Sequence, residues 1–419
     1  MAAFDDGERM LDGLLQASHR CALDELPGLV AEYGAAAGLH DAVIYLADRR
    51  REVLRPLRGA AAAGGEVVGE LGVDSTLAGR AFRDVAMMRA RIEPASGEPA
   101  VQAGGQIALG DHWLWVPVLD GTERLGVLGM RVQAVEEVVL ARARGLASLV
   151  ALLVMSKQAY SDTYARLIRT EAMSLAAEMQ WTLMPPLTFA NEAVVISAAL
   201  EPAYEVAGDA IDYALVGRVA HLSIFDAMGH DLSAGLTASI AVGGCRNNRR
   251  QGAGLVETSE AIDAAIGDQF ERTRFATGVL ADLDTHTGLL SWVDRGHPPP
   301  LLIRQGRWIT TLECQPAPPM GLGLGIAPVL CQDQLEPGDR LLLYTDGVTE
   351  ARSPRGERRF GLDRFADFII RAEADGMSAP ETLRRLVQTI LTYHNGNLHD
   401  DAAVLLVEWR SGADRRLML

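Results

Sequence analysis

The chain has 419 residues, of which 48% are hydrophobic and 22% charged, room for two or three domains with complete cores. Its formal net charge of −16 disfavours nonspecific binding to nucleic acid or to an anionic membrane surface. An anionic substrate would therefore need local positive help, which metal ions can supply.

In chain order, residues 8–38 read as a helix or helix pair, with Leu11, Leu14, Leu15, Leu26, Leu29 and Val30 at helical spacings. Residues 42–46 form a strand, Asp48-Arg49-Arg50 a turn, and residues 53–57 the returning strand. A Gly/Ala-rich loop at 59–65 precedes a short helix at 75–82, and residues 113–118 and 125–130 make a second hairpin about Asp120-Gly121. Residues 136–184 read as one long helix, stopped by Pro185-Pro186. Such a helix cannot bury its apolar stripe alone, so a parallel partner from a second chain, and hence a homodimer, is expected; the alternative is a helix folded back on its own domain. The most apolar run, residues 146–155, is shorter than the ~20 residues of a spanning helix. With no signal-peptide core at the start, neither a membrane span nor secretion is expected. Cys21, Cys245, Cys314 and Cys331 show no C-x-x-C spacing and read as reduced thiols of a cytoplasmic protein.

Order and spacing over residues 10–155 resemble a GAF sensory domain, chiefly through the Val116-Pro117-Val118 to Leu125-Gly126-Val127-Leu128 hairpin and the helix carrying Gly79, Ala81 and Phe82. The resemblance implies a small-molecule ligand or a dimer. Cys21 and His40 are the candidate attachment points for a chromophore or haem, and both read more simply as structural residues.

From Asn191 to about residue 410 the pattern becomes strands with helical insertions, which argues two packed sheets flanked by helices. Residues 213–216 and 219–225 are strand-like runs separated only by Gly217-Arg218, and glycine at the first of two loop positions suits a type II′ hairpin. That turn sets Val216 opposite Val219 and Asp209 opposite Asp226. Opposed side chains in an antiparallel pair have Cβ atoms roughly 5 Å apart, and like charges there are destabilising. Either one carboxylate is protonated or a cation lies between them. Two further aspartates stand at strand ends: Asp346 closes the apolar run 340–345, and Asp400 opens the last strand, 402–407. Each alone reads as a turn former. The four together form an all-oxygen set suited to Mg²⁺ or Mn²⁺ rather than zinc, and two such ions can lower the pKa of a bridging water and steady a phosphoryl displacement.

Residues 180–409 resemble the metal-dependent protein phosphatase 2C superfamily of serine/threonine phosphatases, in the bacterial branch typified by the sporulation stage II protein E. The resemblance is carried by Ala177-Glu178-Met179-Gln180, Val206-Ala207-Gly208-Asp209 with Asp212-Tyr213, Asp226-Ala227-Met228-Gly229-His230, Asp294-Arg295-Gly296-His297, Thr345-Asp346-Gly347 and Asp400-Asp401-Ala402. It implies an α-β-β-α sandwich holding two Mn²⁺ or Mg²⁺ ions. Asp209, Asp226, Asp346 and Asp400 with the carbonyl of Ala227 are the implied metal ligands, and Asp226 is the bridging, catalytic carboxylate. The implied substrate is a phosphorylated anti-sigma-factor antagonist. Ala207, Ala210-Ile211, Asp231 and Asp294-Arg295 depart from the family pattern, and Asp231 adds negative charge near the metals. His230 is a candidate proton donor to the leaving serine oxygen or a helix-entry residue; His297 reads as structural. Gly321-Leu322-Gly323-Leu324-Gly325 lacks nucleotide-loop spacing and reads as a flexible loop beside the site.

The expected architecture is thus α+β: a GAF-like domain at 1–135, a linker and dimerisation helix at 136–186, a phosphatase domain at 187–410 and a tail at 411–419. The expected function is a sensor-regulated phosphoprotein phosphatase; the alternatives are an idle scaffold that binds a regulatory protein through the same surface, and a pure sensor.

Overall fold

The computed structural model describes residues 6–59, 69–92, 101–102, 105–106, 111–201, 204, 208–229, 231–304, 306, 308–350, 361–393 and 401–410. The chain divides into two compact units, Met1–Glu171 and Ala172–Leu419.

The first unit is built on a six-stranded antiparallel sheet in the order Leu71–Gly72, Val53–Pro56, His40–Ala47, Glu123–Val132, His112–Asp120, Met88–Arg91. Its central hairpin turns at Gly121, whose φ of 57° lies in the left-handed region. One face is covered by the helices Asp6–Ser18, Leu26–Ala36 and Glu137–Gln158, which bury Met10, Leu14, Val30, Leu146 and Val150 against Leu114 and Leu128. The other face packs on Phe82 of the helix Leu77–Asp84.

The single long helix expected at 136–184 is three helices, Glu137–Gln158, Asp162–Leu167 and Leu175–Leu183. The first buries Ala143, Leu146, Ala147, Val150, Ala151 and Val154 in its own unit's core, so the folded-back alternative describes it and the need for a second chain falls away. By length and composition it is also the one described helix able to cross a membrane, but its apolar side packs into this core. It ends where the Lys157 ammonium, buried, donates to the carbonyls of Ser18 at 2.8 Å and Cys21 at 2.7 Å. Beyond it, the Arg55 guanidinium holds the carbonyls of Leu167 at 2.9 Å and Arg169 at 2.6 Å.

The second unit packs two sheets face to face. One has six strands in the order Trp308–Thr311, Leu301–Arg304, Arg340–Tyr344, Ala402–Trp409, Val194–Glu201, Thr188–Ala190; the other has five, Asp209–Val216, Val219–Ala227, Ala276–Asp284, Leu289–Asp294, Cys331–Gln334. The runs 341–344 and 402–407 are apolar throughout because both faces of their sheet are covered. Ile196, Ile211, Leu222, Val279, Leu341 and Leu405 fill the space between the sheets. Helices Leu362–Ala374 and Ala379–Tyr393 cover the outer face of the first sheet, and Leu232–Arg250 and Leu255–Phe270 that of the second. The layers run α-β-β-α, as the resemblance implies.

A second expectation is corrected: Cys314 and Cys331 form a disulfide, with Cα atoms 6.0 Å apart. Cys314 follows the edge strand of one sheet and Cys331 opens the edge strand of the other, so the bond ties the two edges together. Reading these two cysteines as reduced thiols no longer holds. Cys21 and Cys245 are free. Titration with a chromogenic disulfide reagent in denaturant is expected to count two thiols without reductant and four after reduction.

Candidate metal-binding edge

The hairpin register is the predicted one: Gly217 has φ 58°, Val216 faces Val219, and Asp209 faces Asp226. On its other side Asp226 is paired with Thr277. Asp209 is buried and Asp226 half-buried, so these two like charges meet where water screens them incompletely.

Two cross-sheet contacts bring further segments to this edge. The Thr345 hydroxyl donates to the Asp209 carboxylate at 2.6 Å and accepts from the Ala403 amide at 2.8 Å. Thr345 is fully buried, and Asp346 follows it, half-buried, at the start of the short helix Asp346–Glu350. The Asp401 carboxylate accepts from the Gly208 amide. A side chain at Gly208 would place a Cβ 2.4 Å from the carbonyl oxygen of Ala227, and one at Gly347 a Cβ 1.7 Å from that of Asp401. Glycine is required at both because the backbone strands approach too closely for any other residue. The side-chain amide of Gln180 donates to the backbone carbonyl of Asp209.

Asp209, Asp226, Ala227 and Asp346 therefore lie along one edge, joined there by Thr345 and Asp401. Asp400 and His230 lie outside the described residues, as does Ala207. Among the described residues no group of three or more His, Cys, Asp or Glu is close enough to hold a metal ion. Gln180, Thr345 and Asp401 were named only as parts of motifs; their positioning contacts span 29, 136 and 193 residues of sequence, which local pattern does not reveal.

Asp231 is not a free charge at this edge. Its carboxylate caps the helix Leu232–Arg250, accepting from the Ala234 amide at 2.9 Å, and pairs with Arg274 at 2.8 Å. The cap and the guanidinium hold its carboxyl below the usual range. Asp294 is buried, and desolvation raises its carboxyl although it accepts from the His297 amide at 2.9 Å. Asp212 is a buried structural anion, held by Arg246 at 2.8 Å and Arg249 at 2.9 Å. The loop at 321–325 is not free: Asp263 accepts from the amides of Gly321 at 2.5 Å and Gly323 at 3.1 Å.

His297 is structural, as expected. Its Nδ1 lies 2.8 Å from the Thr277 hydroxyl, and burial pushes its pKa down to about 3.

The second unit is similar to known proteins. Residues 217–410 match the family described as Stage II sporulation protein E (SpoIIE). Phosphoserine phosphatase RsbU of Bacillus subtilis (strain 168) is 24% identical over 241 residues, which span 56% of this chain and 69% of RsbU. Among solved structures, the SiaA-PP2C domain of Pseudomonas aeruginosa is 19% identical with a TM-score of 0.47, covering 56% of this chain and 94% of that one. The catalytic domain of the serine threonine protein phosphatase PstP, in complex with 2 manganese ions, is 16% identical with a TM-score of 0.38, covering 52% and 99%.

Two outcomes are expected. Gly347→Ala should lower unfolding stability in urea by about 1–3 kcal/mol through overpacking. His297, neutral in the folded state and protonated below about pH 6.5 once unfolded, contributes stability that is complete above that pH and lost as pH falls toward about 3. Between pH 7 and 5.5 wild type should therefore lose about 1 kcal/mol relative to His297→Gln, measured by urea unfolding.

Proposed function

We propose that the C-terminal unit is a metal-dependent serine/threonine phosphoprotein phosphatase acting on a phosphorylated regulatory protein of the anti-sigma-factor-antagonist type. The observation that carries this reading is Asp209 facing Asp226 at an edge to which Thr345 and Asp401 fasten two more acidic segments. The donors are hard oxygens, which fit Mn²⁺ or Mg²⁺. Asp209, Asp226, Asp346 and Asp400, with the carbonyl of Ala227, would hold two ions. When bound, such ions supply a water of lowered pKa and compensate the charge of the phosphoryl group.

The chain's own residues preorganise this edge. Thr345 orients the Asp209 carboxylate, and Gln180 fixes the backbone beneath it. Gly208 and Gly347 let the strand ends approach. His230 is the proposed proton donor to the leaving serine or threonine oxygen. His297, with its pKa near 3, stays neutral at physiological pH and holds its turn.

The first unit is proposed as a GAF-type sensor of a small ligand, and the chain as a cytoplasmic partner-switching component. RsbU, a phosphoserine phosphatase by name, supports the substrate class. The dimer expected from an unbroken helix loses that support, because the helix is interrupted and its stripe is buried in its own unit.

The purified chain should hydrolyse p-nitrophenyl phosphate when Mn²⁺ is added and lose that activity with a chelator. Asp226→Asn should lower the rate at least a hundredfold while unfolding stability is retained or raised, since a repulsion is removed. Wild-type protein inert under all divalent ions would leave the scaffold reading in its place.

A further inference from the structure

Beside the carboxylate edge lies a surface that the chemistry does not use. Residues 321–330 carry exposed apolar side chains: Leu324 is 60% exposed, Ile326 57% and Leu330 49%. Large apolar groups this exposed and this close in sequence mark interaction sites when they are held in place. These are held. Asp263 fastens Gly321 and Gly323, Met320 bridges to Ala276, and the Cys314–Cys331 disulfide closes the base of the segment.

The segment is continuous with the candidate site. Gly321 backs onto the carbonyl of Arg274, to which a Cβ would approach within 2.5 Å. The Arg274 guanidinium donates to the carbonyl of Met228 at 3.1 Å, two residues past Asp226. Met228 and Leu232 are themselves 40% and 51% exposed. Arg272 is exposed and lies under the segment, where a Cβ on Gly323 would come within 2.8 Å of its guanidinium carbon. Glu271 and Arg272 both have left-handed backbone, with φ of 50° and 61°, a strained conformation for non-glycine residues that the surrounding fold must impose. Arg274 and Arg295 are engaged by Asp231 and Asp263; Arg272 makes no ion pair among the described residues. In a chain of net charge −16, the rim of the acidic edge thus presents a cation beside an apolar ridge.

We propose that this rim docks the phosphoprotein: Leu324, Ile326 and Leu330 meet an apolar patch on the partner, and Arg272 takes an acidic group next to its phosphorylated residue. The proposal rests on the phosphatase reading and adds to it the surface that selects a protein over a small phosphate ester. Apolar contacts supply affinity, and the exposed guanidinium sets register and encounter rate.

The test uses the full chain, its double variant Leu324→Asp/Ile326→Asp, and Arg272→Glu, all changes at exposed positions. Phosphorylated casein and p-nitrophenyl phosphate are compared as substrates with Mn²⁺, and fluorescently labelled phosphocasein is titrated for binding. Expected is a tenfold or larger rise in KM and Kd for phosphocasein in both variants, with kcat/KM for p-nitrophenyl phosphate within twofold of wild type. Unchanged phosphocasein binding, or a parallel fall on both substrates, overturns the proposal. So does binding of the wild type to vesicles of one part phosphatidylglycerol to three of phosphatidylcholine with none to phosphocasein. If wild type turns over neither substrate, the phosphatase reading fails while the binding titration still decides the docking surface.

Discussion

The second unit depends on one pairing of like charges. A two-residue turn at Gly217 fixes the register of a hairpin whose far end puts Asp209 against Asp226. A one-residue slip would turn Ile211 and Leu222 out of the inter-sheet core. The apolar core therefore enforces the repulsion at the edge. Elsewhere in the unit arginine meets two buried carboxylates: Arg246 and Arg249 meet Asp212, and Arg304 meets Asp339. At Asp209 the structure brings the Thr345 hydroxyl, which orients the carboxylate.

That hydroxyl belongs to the other sheet, and the edge is a joint between sheets as well as a cluster of acids. Thr345 follows the strand Arg340–Tyr344 and Asp401 precedes the strand Ala402–Trp409, while their partners Asp209 and Gly208 open and precede the strand Asp209–Val216. Sheet packing is set by the apolar layer between them, roughly 10 Å thick; these polar contacts then fix the strand ends relative to one another. On the opposite flank the disulfide ties edge to edge covalently. The segment between its cysteines, residues 315–330, is thus anchored at its base by a covalent bond and at its glycines by Asp263, and its exposed apolar residues are displayed rather than loose.

What the sequence disclosed and withheld follows the range of the interactions. The hairpin register was legible because a turn of two residues transmits position without loss, and two packed sheets flanked by helices were legible from the order of strand and helix patterns. The helix at 136–184 was misread because periodicity records that a stripe exists, not where it is buried; Leu146 and Val150 meet Leu114 and Leu128 of their own unit. The disulfide had no spacing signature because its cysteines close two different sheets. Asp231 looked like added charge near a metal because its partner, Arg274, lies 43 residues away, although its place before an apolar helical run is also that of a helix cap.

The same logic explains why the site's supporting residues are harder to read than its acids. A carboxylate at a strand end announces itself by residue type, whereas Thr345 and Gln180 act through ordinary hydrogen-bonding groups whose significance is only their aim. Removing Thr345's hydroxyl would leave Asp209 buried with less to orient it and would free the Ala403 amide at once, since one oxygen serves both. A threonine positioned between a carboxylate and an opposing strand therefore couples the electrostatics of the edge to the packing of the two sheets, and a change to either is felt by the other.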